Sequence, residues 1–398
     1  MKRKHLAIAV AFSLGLVACN QSNTTQTQKV EEGSVITSAS ESEKANALFQ
    51  AYFDESMQMN PISATYVGIN EYNDRFSPAI TQQNLDQSLA FEEKYLAKIK
   101  GVDVSALSGQ DLLSYEIFLR DRNVAIKGAQ FPGHLMPIHQ MGGAHSYFAS
   151  LGSGESAQPF DTADDYRNFM SRAQGFATYM DSAIVAMTEG IEKSFVLPKP
   201  LIKKVLPQLQ VHILEDVTQS VFYAPLKKLK DNANITDVDK ESIIKDYIDT
   251  IKNIIIPAYS RVHQFMQQTY LPKGRDSVGL NNLPNGKAWY EYRIETNTTL
   301  PLTADNIHAF GQQEVARILA EMTRVKETVG FDGDLPAFFE FLRTDNQFFF
   351  DSEQALIDGY TQIKEKIDSR LPLLFDVFPK ADYEVKAVEA FRAASSAG

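Results

Sequence analysis

The chain has 398 residues, 44% of them hydrophobic and 22% charged, which is enough to bury a sizeable core and too apolar for general disorder. Acidic residues outnumber basic ones 50 to 39, giving a net charge of −11. A surface of that sign repels phosphate backbones and argues against nucleic acid as a partner.

The amino terminus, MKRKHLAIAVAFSLGLVACN, has a basic start (Lys2, Arg3, Lys4) and an apolar run from Leu6 to Ala18. The run is too short to span a bilayer comfortably. It ends in Leu16-Val17-Ala18-Cys19, an order that resembles a bacterial lipobox and implies lipidation of Cys19 as the new first residue. The alternative is an ordinary signal peptide with an incidental cysteine. Cys19 is the only cysteine, so no disulfide forms within the chain. In lipoproteins the next residue sorts the protein. Asn20 is not the inner-membrane retention residue Asp, so an outer-membrane, lipid-anchored, periplasm-facing location is expected. The lipid membrane is then a partner through acylated Cys19. Residues 1–18 are thus expected to be signal peptide, 19–41 a polar tether rich in Gln, Asn, Ser and Thr, and 42–398 a folded domain.

From Glu41 the pattern is mostly helical. Leu48, Tyr52 and Met57 sit near helical spacing, with Pro61 closing the segment. Helices are expected over Leu85–Ile99, stopped by Gly101, and from Leu112 to a stop at Gly128. Thr162–Gly190 reads as helix in two pieces. The longest candidate, Val238–Tyr270, carries Ile244, Ile248, Ile251, Ile255, Tyr259, Val262 and Met266 on one face, with a kink expected at Pro257. Thr303–Val329 has Thr303 as N-cap, Asp305 in the first turn and Gly330 as its end. Leu335–Leu342 and Ser352–Leu373 continue the theme. Two stretches read as strands: Ala288–Thr299, aromatic and Thr-rich after a Pro-Asn-Gly turn, and the alternating YEVKAVEAF from Tyr383. The expected fold is mainly α, with long helices and a small β-sheet.

Candidate chemistry is sparse. His134, His139 and His145 fall in the loop GHLMPIHQMGGAHSYF, where the readings are a three-histidine metal site or a loop whose histidines make hydrogen bonds. His212, His263 and His308 stand singly on predicted helices. No His is followed by Glu, so the His-Glu-x-x-His zinc signature is absent from this sequence. Gly-x-Ser-x-Gly, a P-loop and Gly-x-Gly-x-x-Gly are absent too; Gly152–Ser156 (GSGES) reads as a flexible loop. Glu291 and Glu295 beside Trp289 and Tyr290 would either line a groove or form a solvated face.

Four stretches together resemble one bacterial family, domain of unknown function 885: PISATYVGINEYNDRF (61–76), MPIHQMGG (136–143), NNLPNGKAWYEYRIETNTTLPLTADNIHAFGQQEVARILAEM (281–322) and YEVKAVEAFRAASSAG (383–398). Members are similar to gluzincin-type zinc metallopeptidases: largely helical, groove-bearing, often secreted or lipid-anchored. Their His-Glu-x-x-Pro-Gly-His segment lies downstream of the stretch matching 383–398, so the resemblance implies a chain that stops before its zinc-bearing part. No catalytic or metal-binding residue carries over, and no cofactor is expected in this chain, zinc belonging to full-length members. The segment from Trp289 to Arg293, with Trp289, Tyr290 and Arg293, and the stretch around Glu384 are implied to border a substrate groove for peptide. The functional expectation is the amino-terminal part of a lipid-anchored, envelope-located metallopeptidase-type protein, inactive alone. The alternative is a non-catalytic periplasmic peptide-binding or structural lipoprotein. A complementing carboxyl-terminal segment is the further partner implied. Apolar stripes facing such a segment would be left in water, with Ile251, Ile255, Val315, Ile318 and Met322 as candidates.

Overall fold

The structure is a computed structural model and describes residues 39–388 and 393. The expected signal peptide, Cys19, most of the expected tether and the end of the last expected strand lie outside the described residues.

The first helices make a small core of their own. α1 (Glu41–Met59), α3 (Gln82–Ile99) and α4 (Gly109–Gly128) pack on one another around Ala45, Ile99, Val102, Leu107 and Tyr115. Pro61 does more than close α1. It opens a further short helix, α2 (Pro61–Tyr66), because its missing N–H falls where a helix start leaves donors unused anyway. Aromatic rings tie the three long helices together, with Tyr52 of α1 stacked on Phe91 at 4.8 Å and edge-on to Phe118 at 5.1 Å. The Arg122 guanidinium lies 3.9 Å from the Tyr52 ring centre and pairs with Glu92, so this cation is both stacked and neutralised.

The main core is built from α5 (Ala144–Gly152), α6 (Ala163–Glu192), α7 (Lys199–Gln210), α8 (Ala224–Leu229) and a helical rod over 237–273. Thr162 starts α6 with a capping box closed by Asp165. Sequence spacing suggested that this stretch breaks in two, yet it is one helix of 30 residues. Gly175 is a notch here, not a stop: a Cβ there would sit 2.9 Å from the Cβ of Phe76, and the missing side chain lets the 61–76 segment press against the helix.

The rod combines α9 (Asp237–Thr250), a π turn (Ile251–Ile255), α10 (Ile256–Phe265), a second π turn (Met266–Tyr270) and α11 (Leu271–Lys273). Each π turn ends two residues before a proline. Ile256 N–H bonds to the Ile251 carbonyl just before Pro257, and Leu271 N–H to the Met266 carbonyl just before Pro272. A proline collides with the carbonyl four residues back, and the wider turn moves that carbonyl aside. The discontinuity expected at Pro257 is therefore a π turn.

α12 (Gly286–Thr298), α13 (Ala304–Thr328), α14 (Leu335–Thr344) and α15 (Glu353–Asp368) complete the chain as described. Thr303 caps α13 as its sequence implied, in a capping box with Asn306. The fold is mainly α, and the small β-sheet does not form among the described residues. Ala288–Thr299 is helical through Thr298, and 383–388 carries no strand. Strand preference is decided by packing more than by backbone. The aromatic content of α12 reflects what it buries, Trp289 against Phe131 and Phe195, rather than a pleated surface. Of the five apolar residues expected to face a missing segment, Ile251 and Ile255 are fully buried in the main core, whereas Val315, Ile318 and Met322 are exposed.

Candidate functional site

The approach to α12 is built from the Asn-Gly turn. Asn285 adopts a left-handed conformation (φ 54°), and at Gly286 a Cβ would meet the Leu280 carbonyl oxygen at 2.1 Å. Only glycine lets the chain fold back on itself there. The turn aims α12 along the end of α4. Trp289 stacks on Phe131 with ring centres 5.8 Å apart, and Tyr292 donates to the Val124 carbonyl at 3.1 Å. The Tyr292 hydroxyl lies where a Cβ of Gly128 would be, so Gly128 is also required for this approach. Lys127 of α4 pairs with Glu295 of α12.

Between these elements lies a cleft of about 720 Å³, lined by Lys127, Gln130, Phe131, Glu291, Tyr292, Glu295 and the connection 299–303. A second cleft of about 580 Å³ opens on the other side of Gln130 and Phe131, against α3, with Glu92 and His134 in its wall. The two share Gln130 and Phe131, which form the ridge between them. An aromatic floor flanked by two carboxylates and an ammonium offers apolar contact together with charge recognition.

The groove residues expected from the sequence divide. Trp289 is buried beneath α12 as its anchor, and Tyr290 and Arg293 on the same helix are exposed. Glu384 is exposed and pairs with Lys386 at 2.6 Å, and Lys386 lies within electrostatic range of Glu155 in the Gly152–Ser156 loop. The cleft wall is made instead by Glu291, Tyr292 and Glu295, with Phe131 from the loop after α4. Helical spacing brings Tyr292 beside Trp289; reading the stretch as a strand had set them on opposite faces.

The histidines make a different arrangement from a metal site. His145 is 1% exposed, with Nε2 3.1 Å from Gln208 Oε1. Gln208 Nε2 donates to the Gln140 carbonyl at 3.0 Å, so its oxygen faces the imidazole and His145 carries its proton on Nε2. Nδ1 is buried without a hydrogen-bond partner. Tyr259 donates to the His145 carbonyl at 2.6 Å, and the His212 ring packs 4.5 Å from the Tyr259 ring. His212 therefore does not stand alone. Burial, the larger cause, lowers both His145 and His212 to about 4, with His145 adding to the lowering at His212. Burial lowers His134 and His139 as well. Among the described residues no three His, Cys, Asp or Glu side chains converge as metal ligands.

The family model described as bacterial protein of unknown function (DUF885) matches residues 61–398. No curated protein matches the chain. Solved structures are similar in fold. A candidate lipoprotein from Colwellia psychrerythraea superposes with a TM-score of 0.77 at 18% identity, covering 90% of this chain and 64% of that protein. A candidate lipoprotein of unknown function from Shewanella oneidensis gives a TM-score of 0.53 at 16% identity, covering 86% of this chain and 59% of that one. The chain thus spans less than two thirds of either protein's length.

Proposed function

Because the chain belongs to the bacterial family of proteins of unknown function DUF885, we propose that it is the helical body of a lipid-anchored envelope protein that holds peptide segments without cutting them itself. The observation that carries this reading is the pair of clefts meeting at Phe131, with aromatic, acidic and basic groups within one wall. An extended peptide fits such a place: apolar side chains against Phe131 and Tyr292, a basic side chain toward Glu291. The resemblance to metallopeptidase-type proteins supports peptide as the ligand class. No chemical step is routed through a metal, since the described residues do not gather one.

The lipid anchor rests on the order of residues up to Cys19 and on the two lipoprotein-like neighbours in fold. No helix among the described residues is long and apolar enough to cross a membrane, so attachment through acylated Cys19 supplies the membrane contact, with Asn20 directing it to the outer membrane. Cys19→Ala is expected to move the protein from the membrane fraction to the soluble fraction. Unchanged fractionation would sink the anchor.

The cleft is tested by fluorescence anisotropy with labelled unstructured peptides, each carrying one aromatic and one basic side chain. Binding is expected, and Phe131→Ala or Glu291→Lys should each weaken it about tenfold, the size of one lost apolar or charged contact of ~1.4 kcal/mol. Peptide length should be unchanged after prolonged incubation. Equal binding by wild type and both variants would remove the cleft from consideration, and cleavage by the purified chain would show that catalysis lies elsewhere in it.

A further inference from the structure

α13 runs for 25 residues without burying one of them, and the 16 residues of α15 do the same. A surface helix of a folded protein ordinarily hides an apolar stripe. The polar side of α13 and α14 is ordinary, since Arg317 pairs with Glu314, Arg324 with Glu321 and Arg343 with Glu340, each within its own helix. The apolar side is not. Val315 is 58% exposed, Ile318 40% and Met322 39%. Between α13 and α14 lies a groove of about 380 Å³, walled by Ile318, Met322, Val325, Phe338, Phe339 and Leu342. A contiguous apolar surface of this kind marks an interface. It shares no lining residue with the α4–α12 cleft.

The fold comparison supplies a candidate to cover it. The match to the Colwellia protein takes in 90% of this chain, leaving about 40 residues outside it. That is fewer than the 65 residues from Ala304 to Asp368, so part of the α13–α15 stretch belongs to the shared fold. About a third of that protein's length has no counterpart in this chain. A second copy of this chain is the weaker occupant, because two chains of net charge −11 repel each other. A lipid surface is weaker too, since Glu314 and Glu321 sit among the arginines of α13 and leave no basic rim.

We propose that the apolar side of α13 and the α13–α14 groove form a docking surface for a polypeptide equivalent to the unmatched third of the Colwellia protein, and that this polypeptide meets them with an amphipathic helix. Its apolar side chains enter the groove between Met322 and Phe338, and the helix lies along α13. Binding of this kind reads as apolar anchors at three- and four-residue spacing set into a groove.

The test co-expresses the full chain with a polypeptide carrying the unmatched third of the Colwellia protein. A one-to-one complex is expected, with amide exchange in α13 and α14 slowed at least tenfold and hydrophobic-dye fluorescence falling at least fivefold relative to the chain alone. Ile318→Asp combined with Met322→Asp should abolish the complex while leaving the thermal unfolding of the main core unchanged, because neither side chain belongs to that core. Failure to form the complex would overturn the proposal, as would a complex in which α13 and α14 exchange as fast as before. A dimer of this chain lost in the same double variant would assign the surface to a second copy and overturn it. So would binding to phosphatidylglycerol vesicles lost in that variant.

Discussion

Arg172→Ala is expected to cost about 3–5 kcal/mol, the range for removing one member of a buried charged network. Arg172 lies in the middle of α6 with no exposed surface, and no carboxylate among the described residues forms a salt bridge with it. Its guanidinium is instead held by neutral acceptors. Nε donates to the Arg75 carbonyl at 2.9 Å. One terminal nitrogen reaches Gln158 Oε1 at 2.5 Å. The other reaches Thr65 Oγ1 and the Tyr72 carbonyl, both at 2.8 Å. Burial lowers Arg172 to about 10, with Asp74 opposing that shift from a distance, so the side chain stays charged at neutral pH. Its carbonyl partners, and Thr65 with them, lie in the 61–76 stretch, which follows an irregular path through α2 and a 3₁₀ turn at Asn70–Tyr72. The arginine thus supplies hydrogen bonds that this segment cannot make within itself. Truncation leaves several buried acceptors without a donor. Arg172→Lys keeps the charge but replaces a planar fork with a point donor, so it should recover less than half of the loss. Urea unfolding of the three proteins decides it. A loss under 1 kcal/mol in Arg172→Ala would show that water replaces the guanidinium and that the segment is held by other contacts.

That arginine also shows where the sequence is silent. The helices were legible because their signals are local. Thr162 and Thr303 cap, the apolar stripe of 244–266 repeats at helical spacing, and Gly128 and Gly330 end what precedes them. Arg172 carries no such signal, since a cation within a polar pattern reads as solvated until the 61–76 segment is folded over it. The stretch after the Asn-Gly turn misled for a related reason. Its aromatics and threonines suit a pleated face, but Trp289 and Tyr292 find partners only when helical spacing sets them against Phe131 and α4. The cleft wall could not be named from local pattern because it joins residues some 160 positions apart, such as Lys127 and Glu295. The exposed stripe of α13 was half legible: its period was visible, but periodicity alone does not distinguish a stripe buried in the main core, as at Ile251 and Ile255, from one left outside it.

Stability should fall steeply as pH drops from 6.5 toward 4. His145 and His212 are neutral and buried in the folded chain, at about 4, against 6.5 when exposed to water. In this interval the unfolded chain binds protons that the folded one refuses. The contribution is therefore complete above pH 6.5, shrinks as pH falls, and is gone once pH has passed through about 4. A displacement of that size corresponds to ~3 kcal/mol for each histidine. The structure gives the cause at atomic level. A second proton on His145 would have to sit on Nδ1, which faces no acceptor, while Nε2 is committed to Gln208. His212, packed on Tyr259 beside it, would then bring a second positive charge into the same pocket. The carboxylates with lowered values, such as Glu41, Glu55 and Asp239, keep a fifth or more of each side chain in water and are held down by screened surface partners, so they add little within this window. Urea unfolding at half-unit steps from pH 7.5 to 4 measures the slope. His145→Gln keeps a neutral side chain able to donate to Gln208, and His212→Phe keeps the ring against Tyr259. Each should flatten the profile between pH 6.5 and 4 whatever it does to stability at pH 7.5. A profile unchanged in both variants would mean that neither histidine resists protonation in the fold, and that acid sensitivity arises elsewhere in the molecule.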